Sequence, residues 1–143
     1  MLRYLLILIL VATATGEPIG FNSHIRPLLS DHCFSCHGFD SNSREADLRL
    51  DISEGAFADR KSGSAILPGN PEGSLIWERI NSDDPDDIMP PPDHLLRLDA
   101  EEKELIYRWI KEGAKYEEHW TFIPVKKPNI PNLAPHPLDS LVR

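Results

Sequence analysis

Polar and apolar positions divide this chain into stretches of unlike character. Leu5 to Ala12 is apolar without a break, follows Arg3, and is closed by Ala12-Thr13-Ala14, with Gly16 as a second candidate end. A short apolar run with a basic flank and a small-residue end is the pattern of an export signal, so residues 1–16 are expected to be a signal peptide. The run is far shorter than the about 20 apolar residues that cross a bilayer. After it, Phe21, Ile25, Leu28, Leu29 and His32 fall on one helical face, and the spacing predicts a helix from Ser23 to His32. Ser23 is its expected cap, and Pro27 is tolerated near the first turn, where its missing N–H has no intrahelical partner to lose.

The next stretch, Gly38 to Asn70, is polar and rich in Gly, Ser and Asp. Only Leu48, Leu50, Ile52, Ala56 and Phe57 offer burial there. An extended piece at Leu48 to Leu50 and a short helix at Ser53 to Arg60 are the elements it predicts. Helical periodicity returns with Leu75, Ile76, Arg79 and Ile80, predicting a helix over Pro71 to Ile80 that begins on the proline. A loop from Asn81 to Leu96 carries Asp83, Asp84, Asp86 and Asp87, then Ile88-Met89-Pro90-Pro91-Pro92. Asp99 to Glu112 has the clearest helix signals: Asp99 as cap, Glu102 three residues on, an apolar face of Leu105, Ile106, Trp109 and Ile110, and Gly113 just past the end. Every expected element of substance is helical, which makes the fold class all-α, a small domain over residues 17–120. Five of the 13 prolines lie between Pro124 and Pro137, so residues 121–143 are expected to be a Pro-rich linker or the start of a following domain.

Composition narrows the function classes. A chain of 143 residues allows one domain and little more. Its 23 acidic and 15 basic side chains give a net charge of −8, opposite to the basic footprint that nucleic-acid binding needs. Two cysteines are too few for a disulfide scaffold. Both fall in one motif, Cys33-Phe34-Ser35-Cys36-His37, which reads Cys-x-x-Cys-His, the attachment site of a covalent haem c. Two thiols about one helical turn apart can reach the two vinyl groups on one porphyrin edge, and the following imidazole can reach the iron from the same side. A redox disulfide is the first competing reading, but no βαβ pattern surrounds the pair. Half of a zinc site is the second, but the other histidines show no ligand spacing.

Once residues 1–16 are removed, Met89 is the sole methionine of the chain. It sits in a polar, proline-stiffened loop where an apolar thioether has little reason to be, and Met/His ligation of haem iron is a known arrangement. His94 is the rival sixth ligand, and a methionine filling a core gap is the plain alternative. Arg49 and Arg79 are candidate partners of haem propionates or ordinary surface residues. The aspartates from Asp83 to Asp87 are a solvated loop, a docking patch for a basic redox partner, or a calcium site without EF-hand spacing. Trp109 reads as core.

Together these residues are similar to the planctomycete-type cytochrome c domain, a relative of class I cytochromes c. The likeness runs from about Phe21 to Trp120. It rests on Cys33 to Gly38, Leu48-Arg49-Leu50-Asp51, Pro68 to Leu75, Arg79-Ile80, Met89-Pro90-Pro91, and Trp109 to Ala114. Ala46 and Asp47 are a departure, since positions before the Leu-Arg-Leu-Asp stretch are often glycine in that family. The resemblance implies one haem c per chain, held by Cys33 and Cys36 and ligated by His37 and Met89. It also implies export to the periplasm or cell envelope, at the front of a longer protein. One-electron transfer to a redox partner or a fused downstream domain is the implied activity, an electron carrier rather than a catalyst. The competing activities are a haem sensor or small peroxidase with a displaceable sixth ligand, and a structural haem module that positions a fused enzyme domain.

Overall fold

A computed structural model describes residues 18–126. The expected signal peptide and most of the expected Pro-rich segment lie outside the described residues. A π-helical turn, Phe21–Ile25, runs directly into α1 (Arg26–His32). α2 (Phe34–His37), α3 (Ser53–Phe57), α4 (Leu75–Ile80) and α5 (Ala100–Lys111) follow, and a 3-10 turn, Trp120–Phe122, comes last. Among the described residues there is no strand, so the domain is all-α, and none of its helices is long and apolar enough to cross a membrane.

α5 folds as its sequence predicts. The Asp99 carboxylate accepts from Glu102 N–H at 2.9 Å while the Glu102 carboxylate accepts from Asp99 N–H at 2.9 Å, closing a capping box. At the other end Gly113 takes φ +103°, Gly113 N–H bonds to Ile110 and Ala114 N–H reaches back to the Trp109 carbonyl. That pair of bonds is a Schellman ending, which needs a left-handed residue at Gly113.

The other boundaries moved. The first helix starts at Phe21 rather than Ser23, with Gly20 in the cap position, and Ser23 makes no capping bond. The reason is burial: Phe21 and Ile25 are both fully enclosed, so the helical path must begin before the polar Ser23. Pro71 does not open α4. The Ser74 hydroxyl accepts from Leu67 N–H and donates to the Asn70 carbonyl, both at 2.8 Å, which builds a turn that the helix can only follow. α3 stops at Phe57, because Ala58 turns to an extended conformation. Leu48 to Leu50 joins no sheet.

The core lies where the first and last helices cross. Phe21, Ile25 and Leu29 meet Ile106, Trp109 and Ile110, all buried. The rings of Phe21 and Trp109 are 5.6 Å apart, and Tyr116 closes the group at 4.3 Å from Phe21 and 5.3 Å from Trp109. Tyr116 then donates its hydroxyl to the Leu50 carbonyl at 2.9 Å, tying this aromatic group to the polar middle of the chain. Trp109 is only 1% exposed and donates Nε1–H to the Lys115 carbonyl at 3.2 Å. Trp109→Ala is therefore expected to destabilise the haem-loaded protein by about 3–5 kcal/mol, read as a lower midpoint in denaturant with an unchanged haem stoichiometry.

The middle of the chain is pinned by backbone bonds rather than by apolar packing alone. Ile66 N–H bonds to Ala56 of α3, and the carbonyls of Ser64 and Ala65 accept from Leu75 and Ile76 of α4. Gly69 N–H reaches the Ile110 carbonyl of α5 at 2.8 Å. These ties join α3, α4 and α5 through the segment between residues 64 and 69.

Candidate haem site

The motif is built by a change of direction after α1. Cys33 N–H still bonds to Leu29 of α1, yet the Cys33 carbonyl already accepts from Cys36 and His37 and starts α2. Cys33 and Cys36 are thus one turn apart, and both are free thiols. Gly38 ends the motif where the chain passes close to itself: a Cβ there would stand 2.3 Å from the Phe34 carbonyl oxygen. The segment after it folds back over the motif, with Glu45 N–H bonding to the Cys36 carbonyl at 2.7 Å and Leu50 N–H to the His37 carbonyl at 2.8 Å.

Behind that segment lies a cavity of about 460 Å³, within the usual range of small-molecule sites. Cys33, His37 and Met89 all stand on its wall, although they come from the end of α1, from α2 and from the loop after α4. Leu48, Leu50, Ala65, Ile76 and Ile80 make the wall largely apolar, and Arg60, Lys61 and Arg79 are its cations. Cys36 stands on the same turn as His37 but does not line the cavity. His94 does not line it either, since its ring is occupied with the backbone of Leu96 at 2.9 Å.

Burial pushes the Cys33 thiol up to about 12, with Cys36 adding to the shift, so the sulfur is held as a thiol. Burial pushes His37 down, and the charge of Arg60 acts the same way against the opposing backbone and carboxylate of Glu45. A lowered histidine is neutral over a wider pH range, and neutral imidazole is the form that binds metal. The buried His37 Nδ1 has no hydrogen-bond partner. An imidazole and a thioether that could ligate iron and a thiol that could bond to a vinyl group stand around one apolar space, with the second thiol, Cys36, one turn along α2, so the residues present fit a covalent haem.

Among the described residues no three His, Cys, Asp or Glu side chains converge as metal ligands do. Two of the aspartates from Asp83 to Asp87 build the loop itself. The Asp84 carboxylate accepts from Asp86 N–H at 2.9 Å, and Asp87 is paired with Arg79. Arg79 also offers its backbone carbonyl to Met89 N–H at 3.0 Å, so one residue of α4 holds both the acidic turn and the methionine. Arg49 is paired with Asp51 and does not line the cavity.

Arg60 carries a role that its sequence context does not announce. Ala46 and Asp47 both take left-handed conformations, with φ of 53° and 50°, as glycines would. Such a conformation costs a residue with a Cβ on the order of 1–3 kcal/mol. Arg60 donates to the carbonyls of Ala46 at 3.0 Å, Asp47 at 3.1 Å and Gly55 at 3.3 Å, which holds the turn in place. The departure from glycine thus changes what stabilises the turn and leaves its shape glycine-like.

No curated protein and no solved structure matches the chain. Residues 33–93 match the family model for planctomycete cytochrome C. The match opens on the first cysteine of the motif and closes four residues after Met89, so it contains Cys33, Cys36, His37 and Met89, and over this stretch the chain is similar to a haem-binding cytochrome domain.

Proposed function

We propose that the chain is an exported mono-haem c-type cytochrome domain that carries one electron at a time, with Cys33 and Cys36 as thioether anchors and His37 and Met89 as axial ligands. The observation that carries this reading is the meeting of Cys33, His37 and Met89 on one largely apolar cavity wall. When bound, the haem supplies an iron that passes between ferric and ferrous. The chain's own contribution is positional. α2 sets the cysteines one turn apart, burial holds His37 neutral, and Arg79 fixes Met89 from behind through the Met89 N–H bond. Two protein ligands leave no open coordination position, which suits electron transfer better than substrate chemistry. The apolar wall limits water near the iron and raises the weight of each nearby charge on the reduction potential.

Export and a partner, whether a separate redox protein or a fused domain, belong to the same proposal. One observation favours the sensor reading as a second choice: Met89 is 37% exposed, so a small ligand would have a path to the sixth position. The two readings separate on carbon monoxide, which binds the ferrous protein readily only if Met89 is displaceable. The primary test is the alkaline pyridine spectrum of the exported protein together with a redox titration. Both vinyls consumed, one haem per chain and a one-electron curve are expected. Cys36→Ala should shift the pyridine spectrum to that of a haem with one free vinyl. A chain exported alongside haem-attachment machinery that acquires no covalent haem would refute the proposal.

A further inference from the structure

Haem carries two carboxylates on the porphyrin edge away from the vinyls, and each must end beside a cation or in water. No Asp or Glu lines the cavity, whereas Arg60, Lys61 and Arg79 do. Those three are not equally available. Arg79 is engaged with both the carboxylate and the carbonyl of Asp87. Arg60 uses Nη1 and Nη2 on three carbonyls, but its Nε is buried with no hydrogen-bond partner. That Nε is enclosed by protein and out of reach from the cavity, but the Arg60 side chain stands on the cavity wall with no carboxylate against it, so its charge is not neutralised there. Lys61 is exposed at the same edge and has no hydrogen bond or ion pair among the described residues.

The geometry points to Lys61 as the residue that receives a haem carboxylate, from the solvent side, with the positive charge of Arg60 beside it on the cavity wall. This rests on the haem reading. It replaces Arg49, which is turned to Asp51, and Arg79, which is committed to the acidic loop. It also gives Arg60 two linked tasks, since the same guanidinium holds the Ala46–Asp47 turn that lies over His37. Orientation follows as well: with the vinyl edge fixed at the cysteines, the carboxylate edge would face residues 60–61.

The test is the reduction potential of the holoprotein between pH 5 and 8, in wild type, Lys61→Gln, Arg60→Gln and Arg60→Lys. A cation beside the carboxylate keeps it ionised across that range, so the wild-type potential should be flat. Without the cation the carboxylate protonates within the range. As pH rises it then ionises, its negative charge favours ferric iron, and the potential falls. At a fixed applied potential the ferric-to-ferrous ratio of Arg60→Gln and of Lys61→Gln should climb with pH, by up to about tenfold per unit. Arg60→Lys keeps the charge but cannot span three carbonyls, so a flat profile there assigns the effect to charge and not to the turn. The other titrating groups nearby are Cys33 and His37, held by the haem in this protein, and Glu45 and Asp47 on the turn, which the substitutions leave in place. The alkaline pyridine spectrum is taken on every sample. Covalent haem with flat profiles in both Gln variants overturns the carboxylate assignment alone. A wild type lacking covalent haem overturns the haem reading and this inference with it. If Arg60→Gln does not fold, Lys61→Gln decides on its own.

Discussion

Met89→Ala is expected to erase the weak far-red sulfur-to-iron band of the ferric protein, convert part of the spectrum to high spin, and open the ferrous form to carbon monoxide. It should also lower the reduction potential, because a thioether favours ferrous iron; axial ligand choice spans about 0.8 V among haem proteins, and loss of sulfur should move a substantial fraction of it. The expectation follows from placement. Met89 stands on the cavity wall opposite in sequence to the motif, its N–H is bonded to Arg79, and the surrounding loop is braced by the Asp84 turn. Little ordering is left to be done when the sulfur binds, so removing it leaves a shaped gap that no other donor is placed to fill. His94→Ala is the control: with its ring held at the Leu96 backbone away from the cavity, it should leave the band and the potential unchanged. A band that survives Met89→Ala, or disappears in His94→Ala, would remove the methionine from the sixth position.

The contrast between Met89 and Arg60 shows which parts of this domain can be read along the chain. The motif at Cys33 to His37 is legible because all its members are local, and α5 is legible because its cap, its face and its closing glycine all agree. Met89 is visible by being out of place, an apolar sulfur among aspartates and prolines. Arg60 gives no such signal. Its partners Ala46 and Asp47 lie 14 and 13 residues back, in a stretch without periodicity, and only the folded turn shows why an arginine is needed there. Arg49 and Arg79 fail for the same reason in reverse. Each has its own carboxylate in space, and for Arg79 that partner is eight residues on, inside a loop whose path sequence does not reveal. The helix starts at Phe21 and Leu75 were hidden differently. Fully buried Phe21 and the Ser74 turn outweigh the local preferences of Ser23 and Pro71.

Removing the haem should remove the fold. In Cys33→Ala with Cys36→Ala, the cavity of about 460 Å³ loses its occupant. At about 24 cal/mol per Å³ an unfilled space of that size would cost on the order of 10 kcal/mol, an upper bound because the edge at Lys61 and Ser62 admits water. That is comparable with the whole stability of a typical domain, about 5–15 kcal/mol. Little remains to offset it. Leu48, Leu50, Ala65, Ile76 and Ile80 turn part of their apolar surface to the cavity wall, and the left-handed Ala46–Asp47 turn keeps its strain. The Phe21–Trp109–Tyr116 group is a real core, but it reaches the middle of the chain through few contacts, such as the Tyr116 bond to the Leu50 carbonyl, and α5 at 12 residues is marginal in isolation. The double variant should therefore show helical signal well below the holoprotein's and no cooperative thermal transition, while the single Cys36→Ala, keeping one thioether, melts cooperatively at reduced temperature. A sharp transition in the double variant would mean that the contact between the first helical stretch, Phe21 to His32, and α5 folds unaided and that the haem fills a space the chain can hold open by itself.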